Sequence, residues 1–295
     1  MRTYLLTLLL LLVLVVVFPF GARAVDPPWL VLARAERLMD QAEFGQAIQM
    51  LRRALQLSPD DPQAYHGLGR AYRAVNDLEV AEEYLQRALV HRERFMIADD
   101  ALLVRYELAD IARIRRDFAS FEQELYRIVA EVPLTQEELE PNPHRLLAGR
   151  GLDRFLVLYR LDENGAAAAH GMLAELLVGL GRYSAAAEHG TIAVLQRFTT
   201  LVSAAMRRDP TYQFTTVVDL FERVRDHPEV RDYLGERPLY RELYFLAAAF
   251  WGHGDRIGLD LWRTLAAVDP DGTWGGRAAR QVVDPRPEPL LVPGR

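Results

Sequence analysis

The chain predicts an all-α protein, a stack of helix hairpins carrying irregular helical insertions, and three observations support that prediction. Apolar residues recur at spacings of three and four along most of its length, as in Val31, Leu32, Ala35, Leu38 and Met39, which marks one buried face of a helix. The stretch 28–94 matches itself when it is shifted by one hairpin length. Strict alternation of apolar and polar residues never persists, so no strand pattern competes.

The chain has 295 residues, half of them apolar, which is enough for a sizeable core. Its 35 basic residues are all arginine, a compositional habit to which no mechanism is attached. A formal charge of −6 and a pI near 5.7 give no global attraction to nucleic acid or to an anionic membrane surface. The absence of cysteine excludes disulfides, thiolate catalysis and cysteine-ligated zinc.

At the N-terminus, Arg2 precedes an apolar run from Leu5 to Phe18 broken only by Thr7, followed by Pro19, Gly21 and Ala22-Arg23-Ala24. A positive start, an apolar middle and small residues spaced A-x-A predict a signal peptide over 1–24, cleaved after Ala24. The expected location is periplasmic or secreted. The alternative is an uncleaved N-terminal membrane anchor, because the run approaches the roughly 20 residues that span a bilayer.

From Asp26-Pro27-Pro28 a first helix runs to about Asp40. A second starts near Gly45, with Ala47, Ile48, Leu51, Ala54, Leu55 and Leu57, and ends at Ser58-Pro59-Asp60-Asp61-Pro62. Asp61 is placed to cap the next helix and Pro62 to occupy its first turn. A shift of about 34 residues pairs Pro28 with Pro62, Leu38 with Tyr72, Ala47 with Ala81, Leu51 with Leu85 and Ala54 with Ala88. The second unit reads Tyr65-x2-Leu68-Gly69-x2-Tyr72 and Ala81-x3-Leu85; the first is looser and closes on Pro59. In this the chain resembles the tetratricopeptide repeat (TPR) family, and the resemblance implies an α-solenoid of TPR-like hairpins. Small residues at 35, 69, 47 and 81 fall where two helices must approach closely.

After Arg94 the period slips across Met96 to Ala101. Leu108, Ala109, Ala112, Phe121, Leu125, Ile128 and Pro133 then form a degenerate third unit. A connection at 134–143 carries the capping-box spacing Thr135-x-x-Glu138 and then Glu140-Pro141-Asn142-Pro143. Residues 144–161 read as one further helix. A clearer unit returns with Leu173, Ala174, Leu177, the Gly181 turn, Ala186, Gly190 and Ala193. Asp209-Pro210 is expected to open a helix holding Phe214, Val217 and Leu220, and a short element follows at 228–234. A last unit starts near Pro238 and ends at Asp269-Pro270, and a terminal helix spans about 274–283. The organisation expected is therefore a leader at 1–24, N-terminal repeats at 25–133, a degenerate helical region at 134–283 and a disordered proline-rich tail at 284–295.

The chemistry that the sequence excludes is extensive. The seven histidines show no H-x-x-x-H or H-E-x-x-H spacing, so no helix-borne metal site is expected, although His170 and His189 could meet across a hairpin. Gly67-Leu-Gly69 and Gly179-Leu-Gly181 lack the strand and the remaining residues of a phosphate loop. A nucleophile elbow is missing, and pairs such as Glu82-Glu83 suit a solvated surface. No cofactor and no catalysis are expected.

The resemblance further implies that the first helix of each hairpin lines a concave groove. Carried onto this chain, the ligand-contacting places include His66, Arg70, Arg73, Tyr106, Asp110 and Arg113, an arginine-rich and partly aromatic wall suited to an acidic or extended peptide; the alternative is a solvated face whose arginines pair with Glu36 and Asp110. The function expected is an exported, non-catalytic scaffold for proteins of the cell envelope or periplasm. The alternative is a small-molecule or lipid carrier, suggested by the aromatic residues Phe214, Phe221, Tyr244, Phe245, Phe250, Trp251 and Trp262. Nucleic acid is not an expected partner, and membrane contact is expected only if the leader stays attached.

Overall fold

The structure, a computed structural model, describes residues 26–134 and 142–291. The leader, the capping-box spacing of Thr135 and Glu138 and the last four positions of the expected tail lie outside the described residues. Among the described residues every regular element is a helix.

Three hairpins come first: α1 (Pro28–Asp40) with α2 (Phe44–Leu57), α3 (Pro62–Ala74) with α4 (Leu78–Val90), and α5 (Asp100–Ile114) with α6 (Phe118–Glu131). The first helices stack in succession, α1 on α3 and α3 on α5. The close approach that the small residues predict is present. Ala35, Ala47 and Ala81 are fully buried, and a Cβ placed on Gly69 would lie 2.5 Å from Leu85 Cγ. Asp61 caps α3 as expected, accepting from the amides of Gln63 and Ala64.

Two more hairpins continue the stack. Helix α9 (Ala167–Gly179) packs on α6 and pairs with α10 (Tyr183–Arg208). Helix α13 (Leu239–His253) packs on both α9 and α10 and pairs with α14 (Ile257–Val268), and α15 (Thr273–Val283) covers α13 and α14. Between these lie the insertions. Helices α7 (Pro143–Arg150) and α8 (Leu152–Leu158) rest on α10, α11 (Val217–Val224) rests on α10 and α14, and α12 (Pro228–Glu236) leads into α13. Over the described residues the fold is thus an all-α solenoid of five hairpins with helical insertions.

One turn design recurs in all five hairpins. A single residue takes positive φ, namely Ala42, Asn76, Arg116, Gly181 and Gly254. In each case the following amide donates back to the carbonyl five residues earlier: Glu43 to Leu38, Asp77 to Tyr72, Asp117 to Ala112, Arg182 to Leu177 and Asp255 to Phe250, all within 2.8–2.9 Å. This is the Schellman closure of a helix. In the second and third hairpins the next residue, Asp77 or Asp117, then caps the outgoing helix.

Three expectations at the level of elements need correction. Residues 144–161 form two short helices because Gly151, at φ 78° and ψ 161°, breaks the ladder after Arg150. No helix opens at Asp209-Pro210; helix α11 begins at Val217, where the Thr216 side chain accepts from the Asp219 amide. Residues 284–291, expected to be disordered, run back across the last two hairpins: Arg277 and Gln281 bond the Glu288 carboxylate, and the Leu291 amide donates to the Gly179 carbonyl at 2.8 Å.

Candidate binding cleft

The inner wall of the solenoid is built from α1, α3, α5, α9 and α13. Its polar residues form a ladder of ion pairs and hydrogen bonds between successive first helices. Arg70 of α3 reaches Glu36 of α1 at 3.1 Å; Arg73 reaches Asp110 of α5 at 2.6 Å; His66 meets Glu107 at 3.2 Å; Arg241 of α13 reaches Glu175 of α9 at 2.5 Å. Arg113 shares Asp110 with Arg73. The first three rungs pair positions 34, 37 and 41 apart, near one repeat length, and the Arg241–Glu175 rung spans 66 residues across the insertions; each holds one hairpin against the next.

The α5–α9 step has a different rung. The Tyr106 hydroxyl donates to the Gly165 carbonyl at 2.8 Å and accepts from the Ala169 amide at 3.1 Å. Burial pushes this phenol up to about 12, so it stays protonated and keeps both bonds at any ordinary pH.

Where α3, α5, α6, α9 and α13 converge, the wall opens into a cleft of about 630 Å³. Its lining includes Arg73, Tyr106, Asp110 and Arg113, with Met172 and Leu176 among its apolar residues. Four of the six predicted groove residues therefore share one cleft. His66 and Arg70 do not line it and sit further along the same ladder. The expected basic character is absent, because Arg73, Arg113 and Arg241 are matched in the lining by Glu107, Asp110 and Glu175. Arg73 and Arg241 meet acids of a neighbouring hairpin, while Arg113 meets Asp110 of its own helix; the alternative pairing with Glu36 and Asp110 is thus the one the side chains adopt.

Two buried clusters lie behind the cleft, and the first of them escaped the motif search. Arg197 of α10, 1% exposed, is forked onto Glu242 of α13 by Nε at 3.1 Å and Nη2 at 3.2 Å, and it also pairs with Glu163. Tyr233 of α12 donates to Glu163 at 2.6 Å. Burial pushes the Glu242 carboxyl up, while the guanidinium bound to it pulls it back. The same face of α10 pins residues 161–162, because Thr199 accepts from the Leu161 amide and Gln196 donates to the Asp162 carbonyl. The cluster ties α10, α12, α13 and the 159–166 crossing together. No sequence signal marks it, because its partners are far apart in the chain and obey no periodicity.

His170 and His189 do meet across the α9–α10 hairpin, with Nδ1 atoms 2.9 Å apart. His189 also faces the ring of Tyr126 edge-on at 5.5 Å. Burial, and then the neighbouring imidazole, hold His170 down at about 3, and burial lowers His189 as well. One ring donates to the other, which makes the pair a neutral packing element. Among the described residues no group of three or more histidine, aspartate or glutamate side chains is placed to hold a metal ion. No helix among them is long and apolar enough to cross a membrane.

A stacked series of hairpins with a continuous inner wall defines a helical-repeat protein, a class built for protein–protein interaction. Tetratricopeptide repeat profiles match residues 38–92 and 66–134, which cover the second and third hairpins and part of the first. Over residues 38–134 the chain carries tetratricopeptide repeats. A protein of Treponema pallidum (strain Nichols), described only as uncharacterized, is 23% identical over 243 residues, covering 80% of this chain. This chain spans 65% of that relative's own length. Among solved structures, TPR-like repeats of a Podosopora anserina kinesin light chain align at a TM-score of 0.46 and 16% identity, over 83% of this chain and 97% of that one. A point variant of the same repeats gives a TM-score of 0.43 and 16% identity, over 81% of this chain and 92% of that one. At those values the likeness carries no argument about function.

Proposed function

We propose that this chain is an exported, non-catalytic scaffold that holds an extended segment of a cell-envelope or periplasmic protein against its inner wall, in the cleft between α3, α5, α9 and α13. The observation that supports it most is the make-up of the cleft. Apolar side chains from α6 and α9 lie beside three arginines and three acids contributed by four hairpins. A peptide with an apolar side chain flanked by charges of both signs matches that surface, whereas a purely acidic ligand would have to displace the acids already bound to each arginine. The small-molecule or lipid carrier is the second reading, and it would have to satisfy the six charged side chains that border the cleft's apolar floor. Export rests on the pattern at 1–24, and mass spectrometry of the mature chain should find Val25 at its N-terminus; an intact Met1–Ala24 segment would return the anchor reading.

The test of the scaffold is a crosslinked pull-down from the envelope fraction with the parent chain and with Arg73→Glu plus Arg113→Glu, identifying captured proteins and lipids by mass. The expected result is a discrete protein set held by the parent and lost by the double variant at unchanged melting temperature. Capture that survives both reversals would remove the cleft from the account, and recovery of lipid alone would favour the carrier.

A further inference from the structure

The residues that follow α15 form a strap, and the way it is held resembles a bound peptide more than a packed terminus. Pro285, Pro287 and Pro289 keep 285–291 extended and remove three amide donors. Its first attachment is the Arg286 amide, donating to Gln281 at 2.7 Å. The second is Glu288, 11% exposed, whose carboxylate takes hydrogen bonds from Tyr244, Arg277 at 2.9 Å and Gln281 at 3.3 Å. The third is Leu291, whose amide reaches the Gly179 carbonyl and whose side chain fills the space left by the missing Cβ of Gly179. Between these anchors the strap leaves a cavity of about 720 Å³ against α15 and Tyr244, so it spans the surface without filling it.

The receiving surface is itself ordered. The Arg277 guanidinium stacks on Tyr244 at 4.6 Å and on Trp274 at 4.9 Å, and Arg241 lies over the other side of the site at 5.8 Å from Trp274. Those stacking contacts place the guanidinium independently of the strap, which pre-organises it for a carboxylate. Tyr244 and Arg241 both belong to α13, a first helix, so the strap runs along the inner wall and its Leu291 reaches the rim of the cleft.

The geometry points to the surface formed by Tyr244, Trp274, Arg277, Gln281 and Gly179 as a second peptide-recognition site, for an extended Glu-Pro-Leu-Leu-type segment, with residues 286–291 of the same chain as its exchangeable occupant in cis. The site does not depend on the cleft reading, because Glu288 is held by α13 and α15 and not by the cleft. A tethered occupant has an effective concentration in the millimolar range, so a partner segment of the same chemistry gains access only when the strap is displaced.

The probe is an amidated, fluorescently labelled peptide copying residues 284–291, titrated into the full chain. The parent should bind it weakly, and Glu288→Ala with Leu291→Asp, which frees the strap, should bind it at least tenfold more tightly. A copy of the peptide with glutamine at the Glu288 position should lose that gain. Equal binding by parent and released chain would overturn the inference. Hydrogen exchange on the parent decides the matter even if the double variant does not fold. Exchange of the Leu291 amide well before the amides of α9 supports a detachable strap, and exchange only on global unfolding would make it a fixed part of the core.

Discussion

At the scale of single residues, burial decides which charges matter. The ladder pairs are partly solvated: Arg70 and Glu36 are 35% and 48% exposed, and exposed pairs of this kind are worth roughly 0–1 kcal/mol. Glu36→Ala should therefore leave the urea midpoint almost unchanged. Glu242→Ala strands the Arg197 guanidinium behind α10 with one partner removed, and breaking a buried pair from one side costs about 3–5 kcal/mol; equilibrium urea unfolding with an unchanged m-value checks it. The histidine pair sets a pH dependence whose sign follows from its burial. Its folded pKa values lie below the unfolded value of about 6.5, so the unfolded chain binds the extra proton and stability falls as pH drops below that value. By pH 5 the parent should lose about 2 kcal/mol from His170 alone, and His170→Asn should show a flatter profile between pH 7 and 5. None of this was legible in the sequence beyond the chance that two histidines on one hairpin could meet, because burial depends on which insertions happen to cover α10.

At the scale of elements, the hairpins were legible because a helix face must repeat its apolar residues and a close crossing must repeat its small ones. Of the Schellman turns only the one at Gly181 was read from the sequence; Gly254 and Asn76 are residue types that suit the same conformation. Ala42 and Arg116 occupy the same conformation with a Cβ, which costs each about 1–2 kcal/mol relative to an unstrained backbone. Arg116→Gly should accordingly raise stability by about 1 kcal/mol, once the greater freedom of an unfolded glycine is discounted; a lower melting temperature would show that this turn does not hold the geometry described. The opposite change tests a crossing. A Cβ on Gly258 would lie 2.6 Å from the Ala247 carbonyl oxygen and 2.8 Å from the Trp251 amide, backbone atoms that cannot rotate away, so Gly258→Ala should separate α13 from α14 and cost about 1–3 kcal/mol. Helix α10 was not foreseen at its full length, because its second half is buried on several sides and so lacks a one-faced pattern.

At the scale of the whole molecule, five hairpins bring side chains from distant repeats onto one wall, and the site is a property of that stacking. The sequence identified the wall and four of the residues around its cleft. It offered Glu36 and Asp110 as partners of the arginines but did not identify the Arg241–Glu175 pair, which joins distant hairpins, or the return of 284–291 along the wall, where a proline-rich composition says nothing about tertiary contacts. The central claim is that the cleft between α3, α5, α9 and α13 is where a partner protein segment lies. The most direct measurement places a photo-crosslinking residue at Met172, which lines the cleft, and at Val90, 77% exposed on the second-helix side of its hairpin and outside the cleft. Irradiation in intact cells should give one discrete protein adduct from position 172, absent from position 90 and lost when Arg73→Glu and Arg113→Glu are added; equal adducts from both positions, or adducts indifferent to the reversals, would contradict the account.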